Sequence, residues 1–273
     1  VVSIQGLDTP TLSIGEGAIV KFGSNSGQNG TYIAAGHSTD TTKTGRIEAF
    51  YATFTSIADD SIGGDTLADG PVTPTKGMYG GLVMMQPAGL SEMQQSSLMG
   101  CTFLYAGATQ DSWYYSSNGP LSYGAVYGAV TTDRAEVEVD SCTFESCGDF
   151  AIHSTTAANL FLYSVEVSGT RGDAVRDDGT GTLTVRNSDL HDNGGDGIHG
   201  VAVDLSDTAV YGNAKYGVYA STGTLQGVMI EENGGLPLSL TAPAVAAAVD
   251  PDAGNDIRGD VAGLHNAVEV RAG

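Results

Sequence analysis

The sequence has few cations and no long apolar run. Eleven Lys and Arg stand against 32 Asp and Glu, which gives a formal net charge of -21. A molecular field of that sign repels polyanions, so we expect no nucleic-acid partner. The most apolar stretch, Ala242 to Val249, is interrupted by Pro243 and is far too short to cross a bilayer. The sequence therefore predicts no transmembrane segment.

Cysteine is also scarce. Cys101, Cys142 and Cys147 are too few for a disulfide framework and lack the paired spacing of a zinc site, so we expect buried thiols. A leader segment is not recognisable, because Val1 to Phe22 already has the pattern of strands and turns. We expect a mature or excised segment.

Glycine, in contrast, is abundant. The chain has 39 Gly and only 8 Pro, and Thr, Ser, Val, Ala and Asp supply most of the rest. Such a composition is typical of short strands separated by tight turns. Long amphipathic helices would need more Leu, Glu and Lys. An all-β fold is therefore predicted.

Aliphatic residues recur at intervals of 23, 23 and 20 in two parallel series, which are Val137, Leu160, Leu183, Val203 and Ile152, Val175, Ile198, Val218. Within a unit they alternate with polar residues, as in Leu183-Thr184-Val185, which is the period of a strand with one buried face. A unit of this size cannot close a hydrophobic core alone. Stacked units can, so the pattern predicts a solenoid.

Five coils are readable, at 135–157, 159–181, 182–202, 203–222 and 223–241. The segment Gly100-Cys101-Thr102-Phe103 parallels Ser141-Cys142-Thr143-Phe144 at an offset of 41, which indicates one coil plus an excursion over Ala108 to Asp133. We predict a single domain over 1–273, with less regular coils at 1–134, regular coils at 135–241 and a capping segment at 242–273.

Asparagines also recur, since Asn193, Asn213 and Asn233 are 20 residues apart and Thr170 and Cys147 continue their column. We interpret this column as a structural ladder in which stacked amides bond to one another and to the turn backbone. A leucine-rich repeat would place an Asn at a fixed offset too, but it needs more Leu than this chain has.

Several segments resemble right-handed parallel β-helix (pectin-lyase-like) domains of large secreted or cell-surface proteins of bacteria and archaea. They are Thr11 to Phe22, Ala52 to Ser56, Met78-Tyr79-Gly80-Gly81-Leu82, Cys101 to Gly107 and Asn266 to Val270. The resemblance implies a right-handed parallel β-helix of about 20–23 residues per coil. It also implies a stalk, an adhesive module or a carbohydrate-facing surface.

Stacking in register would place polar and aromatic residues in columns on the outer face. The candidate polysaccharide contacts are His153, Asp173, Arg176, Asp196, His199, Tyr216 and Tyr219, with Phe150 in the same columns. Aromatic faces stack on sugar rings, and Asp and Arg bond hydroxyl groups. Because stacked strands lie about 4.8 Å apart, these side chains would share one surface patch.

An enzyme is the alternative. Asp177-Asp178, followed about one coil later by Gly197-Ile198-His199-Gly200, is similar to the polygalacturonase pattern, in which clustered carboxylates act as acid and base. However, Thr155 and Thr156 stand where a third acid is expected, and no Arg-x-Lys pair follows His199. A lyase would need clustered Lys or Arg. The sequence therefore favours a non-catalytic module. In the alternative, a polysaccharide hydrolase or lyase, the catalytic residues would be Asp177, Asp178 and His199.

Two further expectations concern ions and partners. Asp59, Asp60, Asp65 and Asp69 lie in a Gly-rich loop that could hold calcium, although their spacing fits no EF-hand. We expect no other cofactor. Exposed coil ends predict end-to-end self-association, because unpaired strand edges recruit further strands.

Overall fold

A computed structural model of the chain describes residues 2–23, 31–90, 95–107, 128–156, 159–242, 245, 248, 251–259 and 267–271. Most of these residues form parallel strands, numbered β1 to β25 in chain order, and the turns between them. Residues 242, 245 and 248 are helical, and Pro251–Ala253 form a 3-10 turn. The coils up to β22 contribute strand segments to three parallel faces, called sheets I, II and III below, and β23, β24 and β25 extend sheets I and III. The predicted parallel β-helix is confirmed.

Sheet I consists of β1 (Val2–Ile4), β4 (Tyr32–Ala35), β7 (Gly81–Met85), β10 (Gly128–Asp133), β13 (Phe150–Ser154), β16 (Asp173–Asp177), the first parts of β19 (Ile198–Ser206) and β21 (Val218–Gln226), β23 (Leu238–Thr241) and β25 (Val268–Arg271). Sheet II consists of β2 (Thr11–Ile14), β5 (Arg46–Phe50), β8 (Gln95–Met99), β11 (Glu136–Asp140), β14 (Leu160–Tyr163), β17 (Leu183–Arg186) and the second parts of β19 and β21. Sheet III consists of β3 (Ile19–Phe22), β6 (Thr53–Ser56), β9 (Thr102–Leu104), β12 (Thr143–Glu145), β15 (Glu166–Ser168), β18 (Asp189–His191), β20 (Ala209–Tyr211), β22 (Met229–Glu231) and β24 (Asp256–Ile257).

The predicted register is confirmed in both aliphatic series. Val137, Leu160, Leu183 and Val203 are successive partners in sheet II, and Ile152, Val175, Ile198 and Val218 are successive partners in sheet I. The step shortens from 23 to 20 residues because β19 runs through the corner between sheets I and II without a break. In the preceding coil, residues 178–182 separate the two strands.

Aromatic rings stack inside the less regular coils. Phe54, Phe103 and Phe144 are successive partners in sheet III, with centroids 4.6 and 4.7 Å apart and nearly parallel planes. Phe22 stacks on Tyr79 at 4.4 Å, and all of these rings are buried. Each coil adds a ring that its neighbours desolvate, so the core is continuous although the loops between these coils are long.

The asparagine column is buried and bonded as predicted. Asn193 Nδ2 donates to Asn213 Oδ1 at 2.9 Å, and Asn213 Nδ2 donates to Asn233 Oδ1 at 3.0 Å. The same oxygens accept the backbone N–H of the preceding asparagine, and Thr170 N–H donates to Asn193. The ladder thus satisfies turn groups that three coils would otherwise leave unpaired in a buried position.

The predicted burial of Cys101 and Cys142 is confirmed, whereas the predicted end of the excursion is wrong. Cys101 and Cys142 are free, buried and adjacent, with the Cys101 N–H donating to Cys142 Sγ at 3.3 Å, as predicted. The predicted excursion over Ala108 to Asp133 was wrong at its end, because Gly128–Asp133 is a strand of sheet I. Its Trp and Tyr residues, at 113–127, lie outside the described residues.

Candidate functional site

The candidate site lies on the outer face of sheet I. Gly197 points into the core, where a Cβ would meet Val210 Cγ1 at 2.3 Å, and the next residue, Ile198, is buried as well. Because residues 197 and 198 both face inward, the outward-facing residues on either side of them are Asp196 and His199. These two side chains therefore lie side by side, and the coils above and below repeat the arrangement.

Both predicted columns are present. His153, Arg176, His199 and Tyr219 are successive register partners, and Phe150 is the partner of Asp173. The strands bring together all seven candidate contact residues. The sequence missed two neighbours on this face, Glu269 and Arg271 of β25, since 30 residues separate Ser239 from its partner Glu269 and the period gives no signal there.

The two aspartates of the site link successive coils. Asp173 Oδ1 accepts the N–H of Asp196 at 2.8 Å, and Asp196 Oδ1 accepts the N–H of Tyr216 at 2.9 Å. The second oxygens bind side chains of their own coils, with Arg176 Nη1 at 3.3 Å from Asp173 and His199 Nδ1 at 2.9 Å from Asp196. Each carboxylate thus fixes both the turn of the next coil and an outer side chain of its own coil.

A second network joins three charged or titratable groups. Asp178 lies 3.1 Å from His153 Nε2 and accepts from Arg176 Nε at 2.9 Å. The hydrogen bond to His153, with that to Arg176 and the charges of both, holds the pKa of the Asp178 carboxyl well below its usual range. Asp178 and Asp173 raise the pKa of Arg176, although burial opposes them. This network orders the side chains at the end of β16.

Rings line the rest of the face. His199 stacks on Tyr219 with centroids 4.6 Å apart, and Tyr216 lies against Tyr219 at 5.4 Å. The guanidinium of Arg271 packs over the Tyr219 ring at 4.0 Å. Burial, the neighbouring Glu269 and other groups raise the pKa of the Tyr216 hydroxyl, so it stays a neutral donor. The arrangement offers ring faces beside hydrogen-bonding groups.

Burial in the columns corrects one expectation. We expected a shared surface patch, but His153, Asp173 and Asp196 are buried, with only 4%, 4% and 5% of their surface exposed. A side chain that donates to or accepts from adjacent coils is covered by them. The accessible part of the site is therefore narrower than predicted, and Tyr216, Tyr219, Arg176 and His199 are its partly exposed members.

The three residues of the alternative catalytic hypothesis differ in exposure, and their role in catalysis stays a prediction. Asp177 is buried on the inner side of β16 with 1% exposure, whereas Asp178 is exposed on the outside. Burial raises the pKa of the Asp177 carboxyl, and no partner of its Oδ2 lies among the described residues. Of these three side chains, only those of Asp178 and His199 are accessible to solvent on the outer face.

Among the described residues, two groups have the chemistry to hold a metal ion. Ligand atoms of Asp173, Asp196 and His199 lie within 4.8 Å of one another, and so do those of Asp60, Asp65 and Asp69. Asp59, predicted with the second group, is not a member of it and accepts from Thr55 and Ser61. Calcium in this loop stays a prediction.

A family model described as a right-handed β-helix region matches residues 110–234. Curated proteins give no match to the chain. Among the residues that the structure describes, no helix is long and apolar enough to span a membrane.

Proposed function

Because the chain is a right-handed parallel β-helix, whose residues 110–234 match that family, we propose that it is a non-catalytic module of an extracellular protein and binds a polysaccharide on sheet I. The observation that carries the proposal is the ring surface formed by Tyr219, Tyr216 and His199 beside fixed carboxylates. Sugar rings pack their C–H faces on aromatic rings, while carboxylates accept from sugar hydroxyls.

A row of coils suits an extended ligand. Successive strands of a sheet lie about 4.8 Å apart, so the three coils that carry Arg176, His199 and Tyr219 span about 10 Å along the axis. That length accommodates a short run of sugar residues. A rigid stack also presents these side chains without an ordering cost on binding, which suits an adhesive or scaffolding role.

Glycan binding by two matched variants tests the proposal. Tyr219→Ala removes the ring that stacks on His199, and Tyr211→Ala removes an equivalent ring that stacks on His191 at 4.9 Å on sheet III. We expect glycan-array binding by the wild-type protein, loss of at least about tenfold in affinity for Tyr219→Ala, and no loss for Tyr211→Ala. Equal binding by all three proteins would refute the sheet I site.

One observation favours a carbohydrate-active enzyme as a second candidate. The buried carboxylate of Asp196 orients the partly exposed His199 through Nδ1, an arrangement that supports general-base chemistry. Turnover of a polysaccharide panel, followed by reducing-end or unsaturated-product assays, would distinguish the two candidates. Turnover that His199→Ala abolishes would replace the non-catalytic proposal.

Self-association through the coil ends is a separate proposal. β1, β2 and β3 are the outermost described strands at one end, and Val2, Leu7 and Ile19 are 55%, 77% and 48% exposed there. Exposed strand edges and apolar side chains favour pairing with another copy. Sedimentation over a range of concentrations should show assembly that Ile19→Lys weakens, and a monomer at all concentrations would contradict it.

A further inference from the structure

We propose that the polysaccharide bound on sheet I carries free amino groups on its sugars, rather than uronate carboxylates. This inference rests on the proposed function and names the chemical class of its ligand. It depends on the charges of the site, on the partners that these charges already have, and on the ring faces beside them.

Carboxylates outnumber cations on this face. Four of them, Asp173, Asp178, Asp196 and Glu269, face two guanidinium groups, those of Arg176 and Arg271, so the carboxylates exceed the guanidinium groups by two. The whole chain, these residues included, has a net charge of -21. A polyanion would approach against both fields, whereas a polycation would be attracted by both.

The guanidinium groups are already engaged. Arg176 donates to Asp178 through Nε at 2.9 Å and to Asp173 through Nη1 at 3.3 Å, and it lies over the Phe150 ring. Arg271 donates to the carbonyl of Ala220 and lies over the Tyr219 ring. A uronate needs a guanidinium that can offer two parallel N–H bonds, and here it would have to displace Asp178 from Arg176.

An ammonium group, in contrast, finds an acceptor. The Asp178 side chain is 41% exposed, and its bonds to His153 and Arg176 hold the carboxylate in a fixed orientation at the rim of the site. Asp173 and Asp196 lie beneath the same face and are nearly covered, so water screens their charges less than it screens surface charges. The Tyr216 ring also attracts a cation through its π electrons, whereas the Tyr219 ring already contacts His199 and the guanidinium of Arg271.

Three oligosaccharides of equal length, about six sugars, test this inference by calorimetry at about pH 6, where sugar amines are largely protonated. They are a β-1,4-linked glucosamine oligomer, its N-acetylated form and an oligogalacturonate. We expect the glucosamine oligomer to bind at least about tenfold more tightly than the acetylated form in dilute buffer. The ratio should approach one near 1 M salt, and oligogalacturonate should not bind.

Matched variants distinguish the effect of the Asp178 carboxylate at the site from the effect of the net charge of the whole protein. Asp178→Asn should reduce the preference for the amine several-fold, because it removes the exposed carboxylate at the rim. Asp192→Asn makes the same charge change beside His191 on sheet III, where its side chain is 70% exposed, and should leave the preference unchanged. Equal effects of the two variants would assign the preference to net charge and overturn the inference.

The remaining outcomes distinguish this inference from the proposed function. Equal affinity for the amine and acetylated oligomers, with loss on Tyr219→Ala, would overturn the amine preference and leave sheet I as a neutral-glycan site. Tighter binding of oligogalacturonate than of the glucosamine oligomer would also overturn the amine preference and would indicate a uronate ligand. If no oligomer bound and Tyr219→Ala changed nothing, both the inference and the proposed function would fall.

Discussion

His199 Nδ1 lies 2.9 Å from Oδ2 of Asp196, and the other oxygen of that carboxylate accepts the backbone N–H of Tyr216 at 2.9 Å. One side chain therefore fixes both an imidazole in its own coil and a turn in the next coil. Asp173 has the same double role towards Arg176 and Asp196. Two of the candidate polysaccharide contacts are thus also the connections between coils.

Substitution of Asp196 should separate these two roles. Asp196→Ala leaves the Tyr216 N–H without an acceptor, and we expect the free energy of unfolding to fall by about 2 kcal/mol. Asp196→Asn keeps an acceptor oxygen in place and should cost about 1 kcal/mol or less. Denaturant unfolding measures both losses. Equal losses would show that the bond to Tyr216 does not contribute to stability.

Asp177 and Asp178 should respond to pH in opposite directions. Burial raises the folded-state pKa of Asp177, so its ionised form destabilises the protein at pH 7 and the penalty disappears as the pH falls below the unfolded pKa. We expect Asp177→Asn to raise the unfolding midpoint at pH 7 and to change it little near pH 3.

Asp178 is the matched comparison. Its pKa is lowered in the folded state, so its contribution is stabilising above the unfolded pKa and is lost as the pH falls towards the folded value. Asp178→Asn should therefore lower the unfolding midpoint at pH 7. Thermal unfolding at several pH values measures both variants, and effects of the same sign at pH 7 would contradict the burial of Asp177.

The asparagine ladder should be costly to interrupt. Asn213→Ala removes the bonds to Leu190 O and Asn233, and it also removes the acceptor of Asn193. Because these groups are buried, we expect a loss of about 3 kcal/mol in unfolding free energy. Asn213→Thr, which copies Thr170 in the same column, should lose less. Hydrogen exchange of the Asn193 amide reports the local effect, and unchanged protection would contradict the ladder.

At the corner that follows sheet II, several residues have a left-handed backbone conformation, and a glycine there should stabilise the protein. The position after most sheet II strands has positive φ, and it is occupied by Ser141, Ser164 and Asn187 in some coils and by Gly100 and Gly227 in others. Ser164→Gly relieves that conformation and should add about 0.5–1 kcal/mol to the unfolding free energy. The control is Gly169→Ala, with φ of 64° and ordinary contacts, which should lose about 1 kcal/mol. A stabilised Gly169→Ala would contradict this account.

The three thiols should be unreactive in the folded protein. All are buried, and burial raises the pKa of Cys147 to about 12, whereas the hydrogen bond with Cys142 lowers the pKa of Cys101 to about 7. Because the surrounding coils cover all three sulfurs, we expect negligible reaction with an aromatic disulfide reagent at pH 8 and reaction of all three cysteines after unfolding. A Cys142→Ser variant identifies any early signal from Cys101. Fast labelling of the native protein would contradict the buried placement.

The sequence predicted the coils better than the site. The aliphatic series through Val137 and Ile152 gave the register correctly, because a slip of one residue would turn the apolar side chains out of the core. The columns of His153 and Phe150 followed from that register. The sequence did not predict the side of β16 to which Asp177 points. The period of apolar residues alone does not reveal two consecutive inward positions such as Gly197 and Ile198.

The period of apolar residues and the recurring asparagines were enough to determine the parallel coils and the order in which they stack. Both are local patterns that repeat, and stacking turns each repeat into a column. Only the tertiary structure decided which carboxylates are buried, which oxygen of Asp196 binds which partner, and that Arg271 covers Tyr219. Those properties depend on atoms contributed by adjacent coils, so they exist only after the coils have packed.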